Sequence, residues 1–403
     1  MTTPHIEGYC DPRFSAVEKQ FIQAIASGFD TGASVAIEYQ GEMVVNLWGG
    51  LKKQGSDELW VEDTLVNIYS TTKAIIATCI LMLIDEGKLD IDRPVSDYWP
   101  EYGCEGKENT KVCDFLCHRA GMHGIRGGVP HYDFRDWTAW TDALASQAPL
   151  RAPGTSQGYH ALTFGWLAGE IIRRVDGRSV GQYVAEEIAQ PFGLDLKIGL
   201  EDSDISRCAD ISQDVRPGGW LMTAIAMTPD FLLSEQLRKL KAFLRTDDFK
   251  VAFAMRSSDA NEVNSDEWRK AEVPSANGHS TASALAKLFG ILSTGCERDG
   301  KRLMTKSTLD FGLQPLSEGP DTVLFNEAIR YGVGFDLGLG MTTIGRDKHP
   351  ARIFGHCGIG GSVAFGDPER GVGYAFLCNR MHKPRELYQT SNALTRAVFD
   401  ITG

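Results

Sequence analysis

The chain has 403 residues, 42% of them hydrophobic, and a formal net charge of −12, so it can bury a large core in one big domain or two. The acidic balance, with no compensating basic run, argues against nucleic acid or an anionic membrane surface as a partner. No apolar stretch reaches the roughly 18 residues of a bilayer span, the first residues lack the order of a secretory leader, and nine scattered cysteines fit reduced thiols in a cytoplasmic protein.

Residues 12–27 carry Phe14, Val17, Phe21 and Ile25 at helical spacing. Residues 33–39 and 43–48 are β-rich runs joined by a hairpin at Gln40-Gly41-Glu42. An extended segment, 64–69, gives way to an apolar run, 74–84, which predicts a buried helix opening at Ser70 and ending at Gly87, a natural C′ residue. From about 112 to 255 the pattern is mainly helical, broken by Gly- and Pro-rich loops at 121–130 and 216–219. Residues 257–277 are polar and read as surface loop. A helix follows over 282–292, then strands over 331–338, 352–355, 362–365 and 372–379, with a turn at Gly366-Asp367-Pro368-Glu369 and a closing helix over 385–401. Strands at both ends with helices between them predict an α+β chain, one sheet built from both termini with a helical insertion.

The segment Ser70-Thr71-Thr72-Lys73 carries the clearest chemistry. Positions i and i+3 share a helix face, so hydroxyl and amine are neighbours. A serine hydroxyl is a poor nucleophile until a base takes its proton, and an amine one turn away can be that base. The helix N-terminus adds unpaired N–H groups and a positive dipole end, which favour a developing anion. Lys73 can act as base only when neutral, which burial or a nearby positive charge would provide. The bare pattern is also that of a serine N-cap ahead of an exposed lysine.

Two further segments carry alternatives of the same kind. Tyr159 follows the loop Ala152-Pro153-Gly154-Thr155-Ser156-Gln157-Gly158; it is a proton shuttle between such a lysine and a leaving group, or an ordinary boundary aromatic. The glycines of Gly355-His356-Cys357-Gly358-Ile359-Gly360-Gly361 allow close approach of backbone to a ligand, or simply a tightly turned strand.

In this order, Ser70-x-x-Lys73, Tyr159 after a Pro-Gly-Thr loop, and His356-x-Gly358 resemble the serine β-lactamase and penicillin-binding-protein superfamily. Within it the chain is similar to the class C-like branch that contains the family VIII carboxylesterases. Supporting stretches are Leu47-Trp48-Gly49-Gly50, Leu116-Cys117-His118-Arg119-Ala120-Gly121-Met122 and Gly169-Glu170-Ile171-Ile172. The resemblance runs from Phe14 to Asn379. It implies a β-lactamase/transpeptidase-like fold in a single catalytic domain. An antiparallel sheet flanked by helices would come from residues 1–70 and 280–403 and a mainly helical subdomain from 71–279, with the site in the cleft between them.

The resemblance also implies roles. Ser70 would be the nucleophile that forms an acyl-enzyme, Lys73 would help deprotonate it, and Tyr159 would relay protons to the leaving group and from water. The backbone N–H groups of Ser70 and Ile359 would form the oxyanion hole, with His356 and Gly358 contacting substrate. No metal and no cofactor are implied, and the oligomeric state is left open.

Two departures bear on the substrate. The third motif begins with His356 where the family usually has a lysine that binds the β-lactam carboxylate, and a neutral imidazole is a weaker, pH-dependent anion site. The second motif is Tyr159-His160-Ala161 where class C enzymes carry Tyr-x-Asn, and alanine cannot supply the amide contact. Both changes weaken β-lactam recognition and leave the acyl-transfer parts intact. The expected substrate is therefore a small carboxylic ester with a short or medium acyl chain. A β-lactamase or D-alanyl peptidase, an acyltransferase or amide hydrolase on the same scaffold, and a non-catalytic binding protein are the alternatives.

Other patterns have structural explanations. Gly177-Arg178-Ser179-Val180-Gly181 matches the G-x-S-x-G elbow, but a helical pattern precedes it instead of a strand, and Ser179 with Gln182 forms a capping box. Cys113, Cys117, His118, His123 and His131 match no standard zinc spacing. Trp48, Trp137, Trp140 and Trp220 read as packing, while the loops at 126–140 and 216–220 could wall an acyl pocket.

Overall fold

Alternating apolar residues at both ends of the chain pair into one nine-stranded antiparallel sheet. The computed structural model describes residues 5–127, 133–214, 227–253, 259–340, 342 and 352–403. The strands are β1 (Ile6–Cys10), β2 (Gly32–Tyr39), β3 (Glu42–Gly50), β4 (Ser317–Pro320), β5 (Ala328–Tyr331), β6 (Asp336–Leu337), β7 (Phe354–Cys357), β8 (Val363–Asp367) and β9 (Val372–Cys378). Their order across the sheet is β1-β3-β2-β9-β8-β7-β6-β5-β4. The two ends of the chain meet at β2 and β9, in register from Tyr39 opposite Val372 to Ala33 opposite Cys378.

Both faces of that seam are buried. Tyr374 and Phe376 join a core with Phe14, Phe21, Leu394 and Phe399, which belong to or flank α1 (Ser15–Ala26) and the closing helix Gln389–Thr402. Their neighbours Ala375 and Leu377 point the other way, into the core of α2 (Thr72–Asp85), α3 (Thr163–Asp176) and α4 (Ala282–Ser293). Side chains alternate with period two, so a strand covered on both faces reads as one continuous apolar run. The closing helix, here α5, thus starts a few residues later than its sequence pattern suggests.

The helices Val112–Leu116 and Trp137–Ser146 pack on α3, and Lys306–Gly312 packs on α2. Trp140 stacks on Trp166 with ring centroids 4.1 Å apart, and both are buried. Trp48 and Trp137 lie half-buried against the same core, as packing residues do. Gly177 ends α3 at φ +93°, Ser179 and Gln182 cap each other, and Ser179 Oγ donates to Glu272 at 2.6 Å. The Gly177–Gly181 pattern is thus a joint between two helices.

The structure departs from the sequence expectations in further places: the run at 331–338 is the end of β5, a turn and β6, antiparallel with Tyr331 opposite Asp336. Ser70 lies not in α2 itself but in a 3₁₀ turn, Tyr69–Thr71, that runs directly into it. The edge strands β1 and β4 have no apolar alternation to announce them, since their residues are largely exposed. Residues 259–277 are no surface loop: they form the short helices Ala260–Val263 and Asp266–Lys270 and bury Trp268, Val273, Ser275 and Asn277. Polar residues can be buried there because they bond main chain: Asn277 donates to Trp268 C=O at 2.9 Å and to Ala271 C=O at 2.6 Å, and accepts Val273 N–H at 2.8 Å.

The loop at 216–219, Trp220, His131 and part of 121–130 fall outside the described residues. All nine cysteines are free thiols, and no helix among the described residues is long and apolar enough to cross a membrane.

Candidate active site

The turn that carries Ser70 is fixed by side chains on every side. Tyr69 sits at φ +48°, a left-handed conformation that is costly for an aromatic residue and persists only where surroundings enforce it. Thr72 Oγ1 donates to Tyr69 C=O at 2.6 Å and accepts Gly278 N–H at 2.9 Å. Ser362 Oγ donates to Ile68 C=O at 2.7 Å, so Thr71 is the donor in its 3.1 Å contact with Ser362. These bonds pin the turn between α2 and the β7–β8 connection.

Lys73 is placed by the helix itself. An apolar helix with no polar face must be buried all round, and Thr72 through Leu83 are all buried. Lys73 goes in with them, at 0% exposure. Its Nζ lies 3.2 Å from Ser70 Oγ, 2.7 Å from Ala161 C=O and 3.0 Å from Ser275 C=O. Among the described residues no carboxylate pairs with it, and burial holds the amine well below the ordinary lysine value. A neutral amine has two N–H bonds and one lone pair. In that form the two carbonyls take the N–H bonds, which leaves the lone pair to face the Ser70 hydroxyl.

Tyr159 completes the group. Its ring is buried, lies 4.7 Å from Lys73 Nζ, and meets the His118 ring edge-on at 4.9 Å. Burial holds its phenol well above the ordinary value, opposed by a hydrogen bond with Ser70. The environments of Lys73 and Tyr159 therefore push in opposite directions, one to a neutral amine and the other to a protonated phenol. Such a split separates base from acid.

The His356–Ile359 segment meets the serine turn from the far side. A Cβ on Gly358 would lie 2.5 Å from Ile68 O and 3.0 Å from Tyr69 Cβ, so only glycine lets β7 come this close. Tyr388 O–H donates to Gly358 C=O at 3.1 Å. Ile359 follows, with 39% of its surface exposed. His356 is buried at 4% exposure, and its Nδ1 donates to Cys357 C=O at 2.8 Å. Burial, and then the neighbouring Lys73, lower its pKa to about 3. It is a neutral imidazole set into the wall.

Sequence reasoning missed Ser275, which acts through its carbonyl; any residue type can supply that, so no sequence signal marks it. It also missed Asp321, whose Oδ1 accepts Tyr159 N–H at 3.0 Å. The histidines of the loose Cys113–His123 cluster are engaged elsewhere. His118 Nδ1 accepts His160 N–H at 3.1 Å, and His123 Nε2 lies 3.1 Å from Asp248. Among the described residues that cluster forms no metal-ligating group.

Fold and site together define a serine hydrolase: an antiparallel sheet, a helical flank, and a serine–lysine pair at the head of a buried helix. The chain belongs to the Beta-lactamase family, whose model matches residues 21–397. It is 32% identical to the "Esterase/beta-lactamase LipL" of Mycobacterium tuberculosis over 381 residues, 94% of this chain and 83% of that protein. Among solved structures, a family VIII carboxylesterase superposes with a TM-score of 0.86 at 33% identity, covering 98% of this chain and 100% of that one. A penicillin-binding protein homologue from Caulobacter crescentus does so with a TM-score of 0.83 at 37% identity, again covering 98% and 100%.

Proposed function

We propose that the protein is a serine carboxylesterase that hydrolyses small esters with short or medium acyl chains through an acyl-enzyme on Ser70. The observation that carries this reading is the setting of Lys73, a buried amine 2.7 and 3.0 Å from two carbonyls and 3.2 Å from Ser70 Oγ; in its neutral form the carbonyls take both N–H bonds and the lone pair faces Ser70. In acylation Ser70 Oγ attacks the ester carbonyl carbon while its proton passes to Lys73 Nζ. The oxyanion forms against the N–H groups of Ser70 and Ile359, donors of a kind worth about 2.7–4 kcal/mol each. As the tetrahedral intermediate collapses, Tyr159 gives its proton to the departing alkoxide and regains one from Lys73. Deacylation reverses the transfers: water attacks the acyl carbon, its proton enters the Tyr159–Lys73 pair, and Ser70 leaves with a proton restored.

The preference for esters rests on what the wall lacks. A neutral His356 attracts a carboxylate far less than an ammonium would, and Ala161 offers its carbonyl to Lys73 but no side-chain amide to a substrate. An ester needs neither contact. The names of the similar proteins, an esterase/β-lactamase and a family VIII carboxylesterase, support the same reading. The nine free thiols support a reducing compartment, and we place the enzyme in the cytoplasm.

The test compares turnover of p-nitrophenyl butyrate and nitrocefin by wild type and Ser70→Ala. Ester turnover should dominate and fall by about 10⁴-fold or more in the variant. Wild-type turnover by Ser70→Ala ends the proposal, and nitrocefin turnover rivalling that of the ester replaces it with a β-lactamase.

A further inference from the structure

Tyr159 differs from Ser70 and Lys73 in one respect: residues 158–160 belong to no helix or strand. No regular hydrogen-bond ladder sets where its main chain lies, and the bond to the Tyr159 N–H itself comes from a side chain. Asp321 reaches this segment from the loop between β4 and β5. It is fully buried, and its Oδ1 accepts the N–H groups of Tyr159 at 3.0 Å, Val323 at 2.9 Å and Leu324 at 3.1 Å. One carboxylate oxygen thus shapes the β4–β5 loop and holds the tyrosine peptide to it.

The flanking peptides are held too. Gly158 N–H donates to His118 C=O at 2.9 Å, His160 N–H to His118 Nδ1 at 3.1 Å, and Thr322 N–H to Gln157 C=O at 3.0 Å. His160 Nε2 accepts Met122 N–H at 3.2 Å, which assigns the His160 proton to Nδ1, facing His118 Nδ1 at 3.4 Å. The segment is clamped from two sides, by the β4–β5 loop and by the loop after Cys117.

Burying a carboxyl is expensive, and the group is retained only where it is well bonded. A hydrophobic residue would fill the space without that cost but could not hold the Tyr159 N–H. We propose that Asp321 is a positioning residue for ester hydrolysis: it fixes the Tyr159 main chain, and with it the phenol, against Ser70, with His118 completing the clamp. This rests on the reading of Tyr159 as the proton relay.

The experiment is a double-mutant cycle between Asp321→Ala and Tyr159→Phe, read as kcat and KM on p-nitrophenyl butyrate and on ethyl butyrate, with Asp321→Asn as the conservative variant. Asp321→Ala should lower kcat about 10- to 100-fold and leave KM within about threefold. Asp321→Asn keeps an oxygen acceptor and should stay within about threefold of wild type. The loss should be larger for ethyl butyrate, because ethoxide needs the proton that p-nitrophenolate can leave without.

In the Tyr159→Phe background Asp321→Ala should cost almost nothing more. Full kcat in Asp321→Ala, equal losses on both esters, or an undiminished loss on top of Tyr159→Phe would each overturn the inference. If Tyr159→Phe is itself fully active, the relay reading fails, a different outcome from an inert Asp321→Ala beside a disabled Tyr159→Phe. Should Asp321→Ala not fold, Asp321→Ser, whose shorter side chain cannot reach all three N–H groups, reads the same cycle.

Discussion

Replacing Gly358 by alanine is the smallest change that presses on the serine turn. The new Cβ would lie 2.4 Å from Ser362 Oγ, 2.5 Å from Ile68 O and 3.0 Å from Tyr69 Cβ, where ordinary contact begins at 3.4 Å. None of the three can yield cheaply. Ile68 C=O already accepts the Ser362 hydroxyl, and Tyr69 is held at φ +48°. The contacts with Ile68 and Tyr69 are relieved by Gly358 backing away by about 0.9 Å, Ser362 Oγ must shift within the same connection, and the Ile359 N–H moves with them. A misplacement of about 1 Å costs about 100-fold in rate, and loss of one oxyanion donor up to about 1,000-fold. We expect kcat on p-nitrophenyl butyrate to fall within that range and KM to move less than about threefold, because the interaction lost is made only in the transition state. Overpacking of this kind costs about 1–3 kcal/mol of stability, so a thermal melt run alongside should show a folded but weakened protein. Wild-type kcat in a folded Gly358→Ala would refute the placement of Ile359 N–H in the oxyanion hole.

The pH profile tests which group is the base. Only the neutral amine accepts the Ser70 proton, so kcat/KM should rise as pH climbs through the Lys73 pKa, which burial sets below the ordinary lysine value. The site histidines should contribute no limb near their usual value, since burial holds His118 and His160 well below it and His356 at about 3. If His356→Asn moves the acid limb, measured from about pH 5 to 10, the base is not Lys73. An inflection near pH 7 that disappears in Asp336→Asn reports that carboxyl instead, which burial pushes up to about 7. Asn277→Ala removes three buried main-chain hydrogen bonds and should cost about 1–3 kcal/mol in urea unfolding. It should also lower kcat, because Ser275 C=O then loosens from Lys73 Nζ; unchanged kcat would show that this carbonyl does not orient the amine.

The parts of this site that were legible in the sequence are those whose function depends on side-chain identity. Ser70 and Lys73 are marked by spacing, and the burial of 74–83 follows from an apolar run whose one polar residue is Thr78. Gly358 is marked by the density of glycines around it, and the contact that demands it lies 290 residues back along the chain, at Ile68 and Tyr69. What acts through main chain left no trace. Ser275 contributes a carbonyl, Ala161 another, and the polar run that contains Ser275 looked like surface because hydropathy counts Asn277 as water-seeking. In the fold its amide is satisfied by Trp268, Ala271 and Val273 instead of by water. Asp321 was invisible for a further reason: it serves Tyr159 across 162 residues of chain, and pairing over that separation is set by sheet topology, not by local pattern.

The same fact explains why α2 is apolar on every face although one side carries the chemistry. A lysine on the rim of a cleft would be solvated and charged at neutral pH, with no lone pair to offer. Taking it to 0% exposure beside the Tyr159 and Phe164 rings, with no carboxylate paired to it among the described residues, makes the charged form expensive. The two carbonyls matter because they satisfy the neutral form. An ammonium would have three N–H bonds to place, and the third could go only to Ser70 Oγ, where it would oppose removal of the serine proton. A carboxylate placed beside Nζ would bring back the charge and abolish the base. On the proposed mechanism, reactivity at Ser70 follows from how α2 is buried, and substitutions that admit water or an acid to its first turn should silence the enzyme without touching Ser70, Lys73 or Tyr159.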